Sequence, residues 1–266
     1  MGQSGIPGNV AHGTWRNSRH PGRGGIVKAI ISPSLLSANF TNLGREVAAL
    51  AQAGITWLHL DIMDGRFVPN ITFGQPVIAA LRKISALFFD CHLMIEQPEQ
   101  HIEAIAQAGA DLIVIHIEAA RHPQRVLARI RELNLKAGLA LDPDTDIGRT
   151  RWLLPYLDMI LVMGVNPGFS GQKYLPETAE KTVCLRRYLI EHGHGDMPVQ
   201  VDGGVDVANC STLASAGATI LVSGSAFFNC ESHAAACANF DNALKQARLD
   251  EFSQLALTRA QGWRRA

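Results

Sequence analysis

Apolar residues fall along the chain in short unbroken runs separated by longer segments with helix-spaced apolar positions. Trp57–Met63, Leu112–Ile117 and Ile220–Val222 are such runs. Their near-continuous apolar character predicts parallel strands covered on both faces. One short pattern precedes each of them: Ala51-Gln-Ala-Gly-Ile-Thr-Trp57, Ala106-Gln-Ala-Gly-Ala-Asp-Leu112 and Ala214-Ser-Ala-Gly-Ala-Thr-Ile220. Each copy reads as a helix end, a glycine for the left-handed residue past the helix, and then a buried strand. Gly54, Gly109 and Gly217 stand 55 and 108 residues apart, or two and four units of about 27 residues. Eight such units need about 216 residues, and Ile30 to Gln246 supplies 217. Further strands are predicted at Val27–Leu35, Leu87–Ile95, Leu135–Leu141, Met159–Val165 and Val199–Val201, with helical patterns such as Leu43–Ala53, Pro98–Ala108 and Thr178–His192 between strands. The predicted fold is α/β, a (β/α)₈ TIM barrel with a parallel eight-stranded core. The alternative is an open doubly wound sheet, but no G-x-G-x-x-G follows the first strand, which weakens a dinucleotide reading.

Composition narrows the function classes. The 266 residues are 47% hydrophobic, enough for a full core, and 24 Lys+Arg balance 24 Asp+Glu. A net charge of zero argues against a nucleic-acid partner, which usually requires a basic excess. No apolar run approaches the ~20 residues of a membrane span. The five cysteines are odd in number and contain no C-x-x-C pair, so a reduced, cytoplasmic protein is expected, with cysteines serving as buried packing. The ends differ from the middle. Residues 1–45 contain no acid, and residues 1–25 hold seven glycines without a hydrophobic period. This predicts a disordered tail over residues 1–25, a catalytic barrel over residues 26–248 and a helical extension over residues 249–266. The tail has no apolar core of a secretory signal; its acid-poor, Arg-bearing composition fits an organelle transit peptide in part, and its glycine content works against the amphipathic helix of one.

In such barrels the chemistry sits at the carboxyl ends of the strands. Strand 2 reads Trp57-Leu-His59-Leu-Asp61-Ile-Met63, and period two puts His59 and Asp61 on the face of Trp57. Strand 3 places Asp90, His92 and Met94 on one face, and strand 7 ends at Asp202. Two His and two Asp from three strands, aimed at one mouth, form a donor set for a divalent cation. His116 and Glu118 at the end of strand 4 share this geometry and are expected to orient a ligand rather than supply one. Asp90, deeper in its strand, is expected to act structurally or behind a ligand. The other histidines are expected to be solvated.

Glycine-rich turns follow the last three strands: Val165-Asn-Pro-Gly168-Phe169-Ser170-Gly171, Gly203-Gly204, and Gly224-Ser225 opening a helix. Close-approaching backbone N–H groups of this kind predict a phosphorylated ligand.

These residues resemble the ribulose-phosphate 3-epimerase family. The resemblance runs through Ser32-Pro-Ser-Leu-Leu-Ser-Ala, His59-Leu-Asp-Ile-Met-Asp-Gly-Arg-Phe-Val-Pro-Asn70 and Asp90-Cys-His-Leu-Met94. It continues through Val165-Asn-Pro-Gly-Phe-Ser-Gly-Gln172, Val201-Asp-Gly-Gly204 and Gly224-Ser-Ala-Phe227. It implies a pentulose 5-phosphate substrate and one divalent metal ion (Zn, Fe, Mn or Co) held by His59, Asp61, His92 and Asp202. It further implies Asp61 as general base and Asp202 as general acid, exchanging roles in reverse. Ser34 and His92 would touch the substrate, with Met63, Met94 and Met163 around the reacting carbons. Gly168, Phe169, Ser170, Gly171, Gly203, Gly204, Gly224 and Ser225 would line its phosphate end. A homodimer or homohexamer is the implied assembly. The chain departs from the family's frequent residues at Ser170, Gly164 and Asn39, and Ser170 stands in the phosphate loop.

The implied reaction inverts C3 of a ketose phosphate through an enediolate, for which two carboxylates on opposite faces of the carbon are suited. The loop Asp64–Asn70 is expected to cover the site and exclude water. Two other readings stay open: a 3-epimerase of a ketohexose 6-phosphate such as allulose 6-phosphate, and a catalytically silent barrel that binds a sugar phosphate.

Overall fold

The computed structural model describes residues 29–247. The expected tail and C-terminal extension lie outside the described residues, as do Val27 and Lys28 of the first predicted strand. Among the described residues there are eight strands: β1 (Ile30–Pro33), β2 (Trp57–Met63), β3 (Phe88–Met94), β4 (Leu112–His116), β5 (Lys136–Leu141), β6 (Met159–Met163), β7 (Val199–Asp202) and β8 (Ile220–Ser223). All pairings between them are parallel, in the order β1-β8-β7-β6-β5-β4-β3-β2. Among the described residues there is no full ladder between β1 and β2. A single parallel bridge, Ser34 to His59, joins the two edges and makes the sheet a nearly closed barrel.

The helices are α1 (Leu43–Gln52), α2 (Gln75–Arg82), α3 (Ile102–Ala108), α4 (Pro123–Glu132), α5 (Glu177–Glu191), α6 (Cys210–Ser215), α7 (Ser225–Phe228) and α8 (His233–Leu244). They bury apolar stripes such as Val47 and Leu50 of α1 and Val126, Leu127 and Ile130 of α4 against the outer faces of the strands. One unit departs from the repeat. Between β5 and β6 the chain makes two short 3₁₀ turns, Ile147–Thr150 and Leu154–Tyr156, in place of an α-helix. Pro143, Gly148 and Pro155 interrupt this segment, and a proline inside a helix removes a backbone donor and clashes with the preceding turn.

The repeated glycines do what their position requires. Gly54, Gly109 and Gly217 have φ of 89°, 107° and 107°, the left-handed conformation that turns a helix end into the next strand. Two are also clamped from outside. Arg82 Nε donates to the Gly109 carbonyl at 2.8 Å, and Arg186 donates through Nε and Nη2 to that of Gly217 at 3.2 and 2.7 Å. The buried Arg186 guanidinium also bonds the carbonyls of Gly195 and Met197. Burial pushes its pKa down to about 10.

Inside the barrel the side chains stack in layers set by the β2–β3 register. Trp57 pairs with Phe88, His59 with Asp90, Asp61 with His92, and Met63 with Met94. Trp57 and Phe88 stack at 4.1 Å between ring centroids and join Ile30, Leu112, Val114, Met159 and Leu161 in the interior apolar cluster. The polar layers stand directly above. The apolar floor therefore excludes water from one side of the histidines and carboxylates.

Candidate active site

Strands β2, β3 and β7 bring His59, Asp61, His92 and Asp202 together, as their alternation predicted. The ligand-capable atoms of the four lie within 4.8 Å of one another. His59 Nε2 is 3.1 Å from Asp61 Oδ1, 3.6 Å from Asp202 Oδ2 and 3.3 Å from His92 Nδ1. His92 Nδ1 is 3.1 Å from Asp61 Oδ1 and 3.5 Å from Asp202 Oδ2. Both imidazoles are fully buried, Asp61 is buried and Asp202 is partly open to the cleft. The Ser34 hydroxyl donates to Asp61 Oδ2 at 2.5 Å, so the seam of the barrel also fixes the carboxylate. Thr72, on the loop after β2, donates its hydroxyl to the Asp61 carbonyl at 2.6 Å.

This crowding sets the charge states. Burial drives the His59 pKa down, but Asp61 and Asp90 outweigh it and hold it well above the ordinary value. His92 is raised against the same burial by hydrogen bonds to Asp202 and Asp61. Burial works to raise Asp61, and the two imidazoles overcome it, keeping this carboxyl far below the usual range. Asp202 is also lowered, against burial and against repulsion from Asp61. Two carboxylates that stay ionised beside two nitrogens are a matched donor set for a divalent cation, since a cation and the histidine protons compete for the same lone pairs. The residues therefore fit one metal ion.

Each histidine is backed from behind. His59 Nδ1 lies 2.7 Å from Asp90 Oδ2, and Asp90 Oδ2 also accepts from Gln200 Nε2 at 2.5 Å. His92 Nε2 lies 2.8 Å from His116 Nε2. His116 in turn faces Asp142 and Glu118 at 3.0 and 3.3 Å. Burial works to raise the Glu118 pKa, but bonds from His116, Thr145 and the Asp142 amide bring it down to about 2.

Above the four-residue cluster a cleft opens, lined by Ser34, Asp61, Asp202, Met63, Met94 and Met163 on one side. On the other side are Gly168, Phe169, Ser170, Gly171, Gly203, Gly204, Gly224 and Ser225. Of the residues expected to touch substrate, only His92 is absent from this wall, because it lies fully buried beneath it. Gly203 and Gly204 are there for room. Gly203 and Gly204 have φ of 111° and 65°, and a Cβ on Gly204 would sit 2.7 Å from both the N and the Cα of Tyr174. Ser170 reaches across the mouth to Ser37, with hydroxyls 2.6 Å apart. The loop after β2 is pinned rather than loose. Asp64 accepts from the amides of Arg66, Phe67 and Glu96, Arg66 pairs with Glu96 at 2.6 Å, and Val68 abuts Gly168.

The matched sequence model is that of the ribulose-phosphate 3 epimerase family, over residues 30–228. The chain belongs to this family. It is thus an isomerase of the epimerase class acting on carbohydrates. The ribulose-phosphate 3-epimerase of Synechocystis sp. is 45% identical over 215 residues, covering 80% of this chain and 93% of the relative. The chloroplastic ribulose-5-phosphate-3-epimerase of Arabidopsis thaliana is 42% identical over 227 residues, covering 85% and 80%. Among solved structures, KGPDC from Streptococcus mutans aligns with a TM-score of 0.59 at 14% identity, over 82% of this chain and 98% of that one. The 3-hexulose-6-phosphate synthase from Salmonella typhimurium aligns with a TM-score of 0.60 at 15% identity, over 81% and 98%. At these identities the two structures share the fold alone.

Some residues at the site carry weaker sequence signals. Gln200 stands two before Asp202 and so shares its inward face, a signal present in the alternation. Asp142 lies one residue past β5, where the pattern points to the mouth. Ser37 offers no such signal. His233, expected to be solvated, is half-buried, pairs with Glu46 at 3.1 Å and stacks on Phe227. Cys184, expected to pack inside, is exposed. Among the described residues no helix is long and apolar enough to cross a membrane.

Proposed function

We propose that this epimerase interconverts D-ribulose 5-phosphate and D-xylulose 5-phosphate, using Asp61 and Asp202 as the proton-transfer pair. The observation that carries this reading is the pair of carboxylates lining one cleft, both within reach of two histidines. Removal of the C3 proton leaves an enediolate, and return of a proton to the other face completes the inversion. Asp61, held far down its titration range, is the ionised base. Asp202, on the neighbouring wall of the cleft, is the group that returns the proton. The roles exchange in the reverse direction.

His59, Asp61, His92 and Asp202 would hold one divalent ion, which supplies stabilisation of negative charge developing on the substrate oxygens. Ser34 orients the Asp61 carboxylate. Met63, Met94 and Met163 give the reacting carbons a polarisable, water-poor wall. Gly168 to Gly171, Gly203, Gly204, Gly224 and Ser225 offer backbone amides to the phosphate, so no basic surface is needed. The pinned loop from Asp64 to Asn70 shields the cleft from solvent.

The test is turnover in D₂O after chelation, with Zn²⁺, Fe²⁺, Mn²⁺ and Co²⁺ restored singly. Deuterium at C3 of the xylulose 5-phosphate product is expected, together with loss and recovery of activity. Product without solvent deuterium refutes the two-carboxylate route, and full activity of metal-free protein refutes the ion. Faster turnover of allulose 6-phosphate than of ribulose 5-phosphate overturns the pentulose assignment.

A further inference from the structure

His116 belongs to no strand that supplies a candidate ligand, yet it is fully buried and lies nearly coplanar with His92, with ring centroids 4.9 Å apart and planes at 23°. The Phe67 ring covers it at 4.8 Å. The 2.8 Å gap between the two Nε2 atoms has room for one shared proton, and two tautomer arrangements of neutral rings can place it. In the first, His92 Nε2–H donates to His116 Nε2. His116 then carries its proton on Nδ1, facing Asp142 Oδ1 at 3.0 Å and Glu118 Oε2 at 3.3 Å. In the second, His116 Nε2–H donates to His92. His92 would then carry its proton on Nδ1, on the side of Asp61 and Asp202, and His116 would turn a lone pair toward two carboxylates. The second arrangement sets like against like at the outer end. Glu118 and Asp142 therefore select the first.

We propose that His116 is a positioning residue: backed by Glu118 and Asp142, it fixes His92 as the tautomer whose Nδ1 presents a free lone pair to a cation. The assignment rests on the metal-centre reading above. The chain runs carboxylate–His116–His92, one ring longer than the direct Asp90–His59 contact that serves the other histidine. Partners behind a ligating histidine keep its orientation and basicity, and their loss typically weakens metal affinity 10–100-fold. The acidic end of this relay already has its own partners. Glu118 accepts from the Asp142 amide at 3.1 Å and from the Thr145 hydroxyl, and Lys181 lies close enough to feel both carboxylates. These groups hold Glu118 as the acceptor for His116, with the Asp142 charge beside it, rather than as a ligand of a second ion.

The test measures the Zn²⁺ dissociation constant of the full chain by competition with a chromophoric chelator. It compares His116→Leu, which keeps bulk but accepts no hydrogen bond, with His116→Gln, whose amide oxygen can accept from His92 Nε2. A 10–100-fold weaker Zn²⁺ affinity is expected for the leucine variant, with most of the affinity restored by glutamine. Equal affinity in the leucine variant and the unsubstituted chain overturns the proposal, as does an equal loss in both variants. Two Zn²⁺ per unsubstituted chain and one in the leucine variant overturn it too, because His116 would then be a ligand. If the leucine variant does not fold, Glu118→Gln with Asp142→Asn takes its place, and unchanged affinity there overturns the proposal. An unsubstituted chain that binds no Zn²⁺ refutes the metal centre itself, which is a separate result.

Discussion

Adding one methyl group at either of two glycines separates crowding from backbone strain at the phosphate end of the cleft. Gly171 and Gly204 have nearly the same left-handed φ, 75° and 65°. Alanine at either pays the left-handed penalty, about 1–2 kcal/mol. The surroundings differ. A Cβ at Gly171 meets nothing within 4 Å, whereas at Gly204 it meets the backbone N and Cα of Tyr174 at 2.7 Å. Ordinary contact begins near 3.4 Å, so the Gly204 loop and the Tyr174 segment must separate by about 0.7 Å, on the scale at which misplacing a substrate group costs up to about 10²-fold. Gly171→Ala is therefore expected to lower Tm by roughly 2–4 °C for each kcal/mol of strain in a chain of this size, with KM little changed. Gly204→Ala is expected to raise KM for ribulose 5-phosphate tens of fold while kcat falls less, because binding of the phosphate suffers more than proton transfer. Steady-state kinetics and thermal melts of both variants decide the matter. Indistinguishable KM values would refute the idea that Gly204 makes room for the phosphate loop.

Asp61→Asn and Asp202→Asn are each expected to reduce kcat by ~10² or more while a phosphate-bearing product still binds; near-normal turnover of either refutes its role in proton transfer. Glu118 has a folded pKa of about 2 against an ordinary 4.5. Its contribution to stability is complete above pH 5 and is lost as the pH falls from 4.5 toward 2, worth up to about 3 kcal/mol. Urea unfolding of Glu118→Gln between pH 6 and pH 2.5 is expected to show a flatter acid limb than the unsubstituted chain, and parallel limbs would contradict the assignment.

The interior layers were legible because they depend only on alternation. Trp57, His59, Asp61 and Met63 follow one another on one face by period two, and the same holds for Asp90, His92 and Met94. Strand count followed from the glycine spacing, since a left-handed residue after each helix is a local requirement. What the pattern does not carry is register between strands far apart in sequence. Gln200 meets Asp90 across 110 positions, and Ser37 meets Ser170 across 133. Neither contact leaves a trace in any single segment. The 3₁₀ turns between β5 and β6 were hidden for a different reason: length gave the unit, but Pro143, Gly148 and Pro155 decide its form. His233 shows the same limit, because its partner Glu46 lies on α1 and its stacking partner Phe227 on α7.

The barrel's seam has a consequence for how activity and folding are linked. Among the described residues one bridge, from Ser34 to His59, ties β1 to β2, and the same Ser34 side chain grips Asp61. The weakest join in the ring thus lies inside the reaction chamber. A barrel sprung open along that line loses the alignment of its base at once, so a partly opened chain is silent rather than sluggish. Conversely, anything that draws His59 and Asp61 tight acts as a clasp on the whole ring. Protection of the β1 and β2 amides from solvent exchange should therefore rise on ligand loading before that of any strand on the far side.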